Sequence, residues 1–240
     1  MDPNTPIKKQ RSPLFYVVLG CGGLLGLITV GFIAVGLMAW NVAKDLGEGL
    51  TNPSAKAANI QKMMGTAPPG YYPVMTFSIP LVMEMALLGD KPQPEDGGPG
   101  DFDRGFMYFR VIANEQSNKA RDFFDGKSAD SESLRASGMN VDTKDILKRG
   151  STKTSSGTVV KYVATRGTME TQGGRRGESR PGINTLMYFE CPGDSAVRMG
   201  VWTMKDPNPE LEAEKVNLVG TVADANELTA FLAPLTPCGK

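Results

Sequence analysis

The hydrophobic pattern of the chain falls into two regimes. From Leu14 to Trp40, LFYVVLGCGGLLGLITVGFIAVGLMAW, 27 residues pass without a charge. As a helix rising ~1.5 Å per residue, this run would extend roughly 40 Å, beyond the roughly 30 Å hydrocarbon core of a bilayer. A helix apolar on every face must be buried on every face, so the run predicts a membrane-spanning segment. Phe15, Tyr16 and Trp40 stand at its ends, where amphipathic rings favour the headgroup layer.

Beyond residue 52 the pattern becomes that of a folded domain. Asn52 and Pro53 suit the cap and first position of a helix running to about Met64, and Gly65 suits its stop. Ile60, Met63 and Met64 would face inward, and Lys56 and Lys62 would face water. The turn Ala67–Pro73 holds two tyrosines, Tyr71 and Tyr72, expected to pack on the core. Val74 to Leu88 alternates around a break at Pro80, predicting two strands or one bent strand. Met83 and Met85 share a face there and read as core filling rather than as a copper site. Phe106–Ala113 is apolar on both faces and reads as a central strand.

Glu115–Asp125 predicts a helix with Ala120, Phe123 and Phe124 inward, and Asp142–Arg149 a short second one. Strands are expected at 158–169, 183–190, 196–204 and 216–222, with a tight hairpin at Cys191–Ser195. Asp224 opens a final helix in capping-box spacing with Glu227. Helices flanking strands that are neighbours in sequence predict an α+β fold, a mostly antiparallel sheet covered on one face. The division expected is a cytoplasmic tail (1–13), a transmembrane helix (14–40), a juxtamembrane helix and linker (41–70) and an exported α+β domain (71–240).

Charge sets the orientation. Lys8, Lys9 and Arg11 precede the apolar run, whereas Lys44, Asp45 and Glu48 follow it, so the positive-inside rule keeps the N-terminus cytoplasmic and exports the rest. The run is too long for a cleavable signal peptide. Val18–Cys21 loosely resembles a lipobox, but the apolar stretch continues far past Cys21, so lipidation there is not expected. Gly22 and Gly26 form a G-x-x-x-G pair that lets a second transmembrane helix approach, although glycine is common in such helices in any case.

Composition removes whole classes of chemistry. Lys plus Arg and Asp plus Glu both number 26, and no long basic stretch exists, which argues against nucleic acid as a partner. Histidine is absent, which excludes Ser-His and Cys-His catalysis and histidine-ligated metals. No catalytic signature, cofactor or metal site is expected. The acidic loop Glu95, Asp96, Asp101 and Asp103 lacks the order of a calcium loop. Outside the apolar run only Cys191 and Cys238 remain, expected either as one disulfide or as two buried thiols, with export favouring the disulfide. Arg175, Arg176 and Arg180 crowd a glycine-rich loop suited to an anionic headgroup or an acidic partner, or else to a solvated hairpin tip. The function expected is a membrane-anchored envelope protein whose exported domain is a binding or accessory subunit of a membrane complex, its partners the bilayer and a membrane or envelope protein. The alternative is an exported ligand-binding or sensor module.

Overall fold

The computed structural model describes residues 47, 49, 51–79, 82–93, 102–113, 115–128, 134, 145–167 and 182–239. The expected span at 14–40, with Cys21, Gly22 and Gly26, lies outside them. Among the described residues no helix is long and apolar enough to cross a membrane.

Seven strands form one antiparallel sheet in the order β1-β2-β3-β7-β6-β5-β4. They are β1 (Tyr72–Ile79), β2 (Met83–Gly89), β3 (Arg104–Ile112), β4 (Asp145–Lys153), β5 (Val159–Gly167), β6 (Gly182–Glu190) and β7 (Ala196–Lys205). A three-strand meander is followed by helix α2 (Glu115–Phe124), after which the chain enters β4 at the far edge and meanders back until β7 pairs with β3. The expected α+β antiparallel sheet is thus observed, and the two β-rich stretches of the sequence join in it.

Local signals explain the helices. In α1 (Pro53–Met64) the Asn52 side chain accepts from Ser54 N at 3.0 Å and Ala55 N at 3.4 Å. In α3 (Ala225–Leu232) Asp224 accepts from Asn226 N at 2.9 Å. Glu227 does not complete a capping box; it reaches Arg104 Nη1 at 3.5 Å.

The strands place alternate side chains on two faces, and both faces are covered. On the first, α1 supplies Ile60, Met63 and Met64 and α3 supplies Leu228, Phe231 and Leu232, packed on Phe106, Tyr108, Met187 and Trp202. On the second, Ala120, Phe123 and Phe124 of α2 pack with Val163, Leu186, Tyr188 and Met199. This corrects the expectation of one covered face. Central strands such as β6, buried from Gly182 to Phe189, carry apolar residues at both parities and need cover on both sides.

Four further expectations are overturned. Residues 145–149 belong to a strand, not a helix: their ladder with β5 and a bulge between Ile146 and Lys148 outweigh local propensity. Residues 216–222 form no strand. A 3-10 turn at Ala213–Lys215 precedes them, and Val222 O accepts from the Thr185 hydroxyl at 2.6 Å instead of joining a ladder. Lys56 is buried rather than facing water, with Nζ 2.7 Å from Gln93 Oε1, and burial holds its amine below the usual range. Of the two tyrosines, Tyr71 packs on the core and Tyr72 is exposed.

Candidate functional site

The register of β1, β2 and β3 brings nine apolar side chains into three rows on the second face. Met75 lies opposite Leu87 and Leu87 opposite Met107. Phe77, Met85 and Phe109 form the next row, and Ile79, Met83 and Val111 the third. No polar side chain interrupts the grid. Phe109 is buried and the other eight are half-buried. Helix α2 packs over β5 and β6, where Phe124 lies 5.7 Å from Tyr188 and Arg149 lies 4.8 Å over the Phe123 ring. Over β1 to β3 this face carries no comparable helix among the described residues. At the end of the same strands Val82 and Ile112 are 51% and 54% exposed, joined by a hydrogen bond from Ile112 N to Val82 O.

The two edges of the sheet differ in charge. Strand β4 carries Lys148, Arg149 and Lys153, a charged edge that disfavours strand addition. Strand β1 has no charge, but Gly49 is buried against it: a Cβ on Gly49 would lie 2.4 Å from the Thr76 carbonyl oxygen. Gly49 therefore occupies the β1 edge at Thr76.

A charged cluster occupies the first face at the far end of β3 and β7. Arg110 and Arg198 are direct cross-strand neighbours. Asp194 relieves their repulsion. It accepts from Arg198 through Nε at 3.0 Å and through Nη2, stands 4.0 Å from Arg110 Nη2, and accepts from Ala196 N at 2.9 Å. Burial pushes the Asp194 carboxyl up, but the Ala196 N–H and the two guanidinium groups outweigh it, so it lies below the usual carboxylate range. Arg198 also donates to Pro237 O and lies 3.5 Å from the Tyr108 hydroxyl. Burial raises the Tyr108 phenol to about 12 despite Arg198. Asp194 and Arg198 satisfy one another, which makes this cluster a brace between the β6–β7 hairpin and the C-terminal tail.

A second polar row crosses the sheet near its other end. Thr165, Asn184 and Thr203 are successive cross-strand neighbours. Thr203 Oγ1 donates to Asn184 Oδ1 at 2.7 Å, and Asn184 Nδ2 donates to Gly167 O at 3.3 Å. Thr165 Oγ1 is the one buried side-chain oxygen or nitrogen without a hydrogen-bond partner among the described residues. A buried orphan hydroxyl costs about 1–3 kcal/mol, so the isosteric Thr165→Val is expected to raise the urea midpoint. A lowered midpoint would show that the hydroxyl has a partner in solution.

Of the residues singled out by sequence, Cys191 and Cys238 are joined in a disulfide with Cα atoms 5.3 Å apart. The link ties the C-terminal tail to the end of β6, the disulfide rather than the two-thiol alternative. Arg175, Arg176 and Arg180 lie outside the described residues, as do Glu95, Asp96 and Asp101. Asp103 is exposed and paired with Lys91 at 2.7 Å and Lys205 at 3.4 Å. Among the described residues no group of three or more Cys, Asp or Glu could hold a metal. The grid on β1 to β3 was missed as a site. Its alternation was visible, but which strands would lie together was not.

The chain matches no family model, no curated protein and no solved structure. The described residues define an α+β domain with a disulfide-braced tail and a half-buried apolar grid on β1 to β3.

Proposed function

We propose that the protein is a single-pass membrane-anchored subunit whose exported domain binds an amphipathic helix of a membrane or envelope protein on the grid of β1 to β3. The observation that carries the reading is the grid itself, nine apolar side chains in register with eight of them only half-buried. The uncharged run from Leu14 to Trp40 supports the anchor, and the Cys191–Cys238 disulfide suits an oxidising exported compartment.

The size of the patch selects the occupant. Three strands ~4.8 Å apart and five residues rising ~3.3 Å each bound a footprint of about 14 by 16 Å. That is well short of the ~800 Å² per partner that a standard protein interface buries, so a second copy of the domain is a poor fit. It matches one helix of about three turns, ~16 Å long and ~10 Å wide. Met75, Met83, Met85 and Met107 supply four deformable side chains, which suits a surface that moulds itself to a helix.

Met85→Lys and Ile79→Lys place a charge within the patch. Each is expected to reduce stoichiometric co-purification of the partner from mild detergent at least about tenfold, since a desolvated charge costs more than the ~1.4 kcal/mol that a tenfold loss requires. Far-UV circular dichroism would check that each variant is folded. Undiminished co-purification by folded variants would overturn the reading.

A further inference from the structure

The C-terminal tail works as a strap between two parts of the fold that share no ladder. At one end Leu235 forms an antiparallel bridge with Gly65, directly after α1, and Thr236 N donates to Met64 O at 2.8 Å. Gly65 is required there: its φ is 85°, and a Cβ would lie 2.4 Å from Thr236 Oγ1. Leu235 is fully buried in the core that holds Ile60, Met63 and Met64 of α1. At the other end Cys238 is bonded to Cys191 beyond β6, Arg198 donates to Pro237 O, and Thr158 Oγ1 lies 3.5 Å from Cys238 Sγ.

We infer that the Cys191–Cys238 disulfide is a reducible clasp on the C-terminal end of α1. Both cysteines are half-buried, so the bond lies within reach of the surface. A dithiol reductant would open it by thiol–disulfide exchange. One reductant thiolate attacks a cysteine sulfur, forming a mixed disulfide and releasing the other cysteine as thiolate. The second reductant thiol then closes the reductant's own disulfide, leaving two cysteine thiols on the protein after proton uptake. Two electrons pass from reductant to protein.

The consequence is local. Once the cross-link is lost, the strap is held by buried Leu235 and Pro237 and a few hydrogen bonds, against the conformational entropy of six ordered residues, 234–239. No strand of the sheet pairs with the strap. Reduction therefore frees the strap and loosens the C-terminal end of α1, while the seven-stranded sheet stays closed.

Hydrogen exchange read by mass spectrometry on the full chain in detergent, with and without dithiothreitol, tests the inference. Alkylation confirms opening as two added groups per chain. Peptides covering 60–65 and 233–239 should exchange at least about tenfold faster after reduction, with β3, β6 and β7 unchanged. Cys238→Ser should show the same pattern without reductant. Three results would overturn the clasp: failure of dithiothreitol to open the bond in the folded protein, no change at α1 once it is open, or acceleration throughout the sheet. None of these readouts depends on the proposed partner.

Discussion

Replacing Trp202 by alanine is expected to destabilise the domain by about 3–5 kcal/mol. Trp202 is 1% exposed and stacks on Phe231 with ring centroids 4.1 Å apart and planes 16° apart. Its indole Nε1 donates to the Tyr71 hydroxyl at 2.6 Å. Tyr71 and Phe106 each meet the same Phe231 ring edge-on, at 5.0 and 4.9 Å. One indole thus joins β7, α3 and the turn that leads into β1. Truncation removes ~150–250 Å² of buried aromatic surface, leaves a cavity and deprives Tyr71 of its donor. Urea unfolding followed by circular dichroism measures the loss. Fluorescence is unsuitable, because the variant keeps only Trp40. Trp202→Phe should recover part of the stability by restoring the ring stack without the hydrogen bond. Equal losses from both variants would contradict this account of the core.

Arg166→Ala should cost a comparable ~3–5 kcal/mol for a different reason. The Arg166 and Asp206 side chains are only 9% and 0% exposed, and Nε lies 2.5 Å from Oδ2. Arg166 Nη2 donates to Asn208 O at 2.7 Å and Nη1 donates to Leu211 O, while Asp206 Oδ1 accepts from Asn208 N at 2.9 Å. The guanidinium therefore organises the whole connection after β7. Without it the buried Asp206 carboxylate loses its counter-charge and keeps only the Asn208 N–H, and the Leu211 carbonyl loses its donor. The pair itself contributes less than its removal costs, because burying both charges carries a desolvation penalty. The double variant Arg166→Met with Asp206→Leu should accordingly be more stable than either single replacement. A double-mutant cycle reads this directly, and simple additivity would show that the two side chains act independently.

Much of the fold was legible from residues close in sequence. Asn52, Pro53 and Gly65 bound α1, Asp224 opens α3, and the Cys191–Ser195 turn joins β6 to β7 as its composition suggested. What escaped depended on distant partners. Residues 145–149 carry a pattern compatible with a short helix, yet β5 offers them a complete ladder. Lys56 reads as a solvent-facing lysine until Gln93 is brought beside it. The sheet required cover on both faces because β6 lies in its interior between β7 and β5, a position fixed by the crossover through α2 rather than by the strand itself. The same limit applied to the site: Met75, Leu87 and Met107 form a row only after three strands align.

The proposed function requires the grid of β1 to β3 to seat a helix of a membrane partner. Its most direct test is photocrosslinking in intact membranes, with a photoreactive residue at Met85 of the full chain and a control at exposed Val219 on the turn before α3. One membrane protein is expected to crosslink from position 85, through an amphipathic helical segment identified by mass spectrometry, and none from position 219. Crosslinks from position 85 to a second copy of the chain, to lipid or to nothing would contradict it.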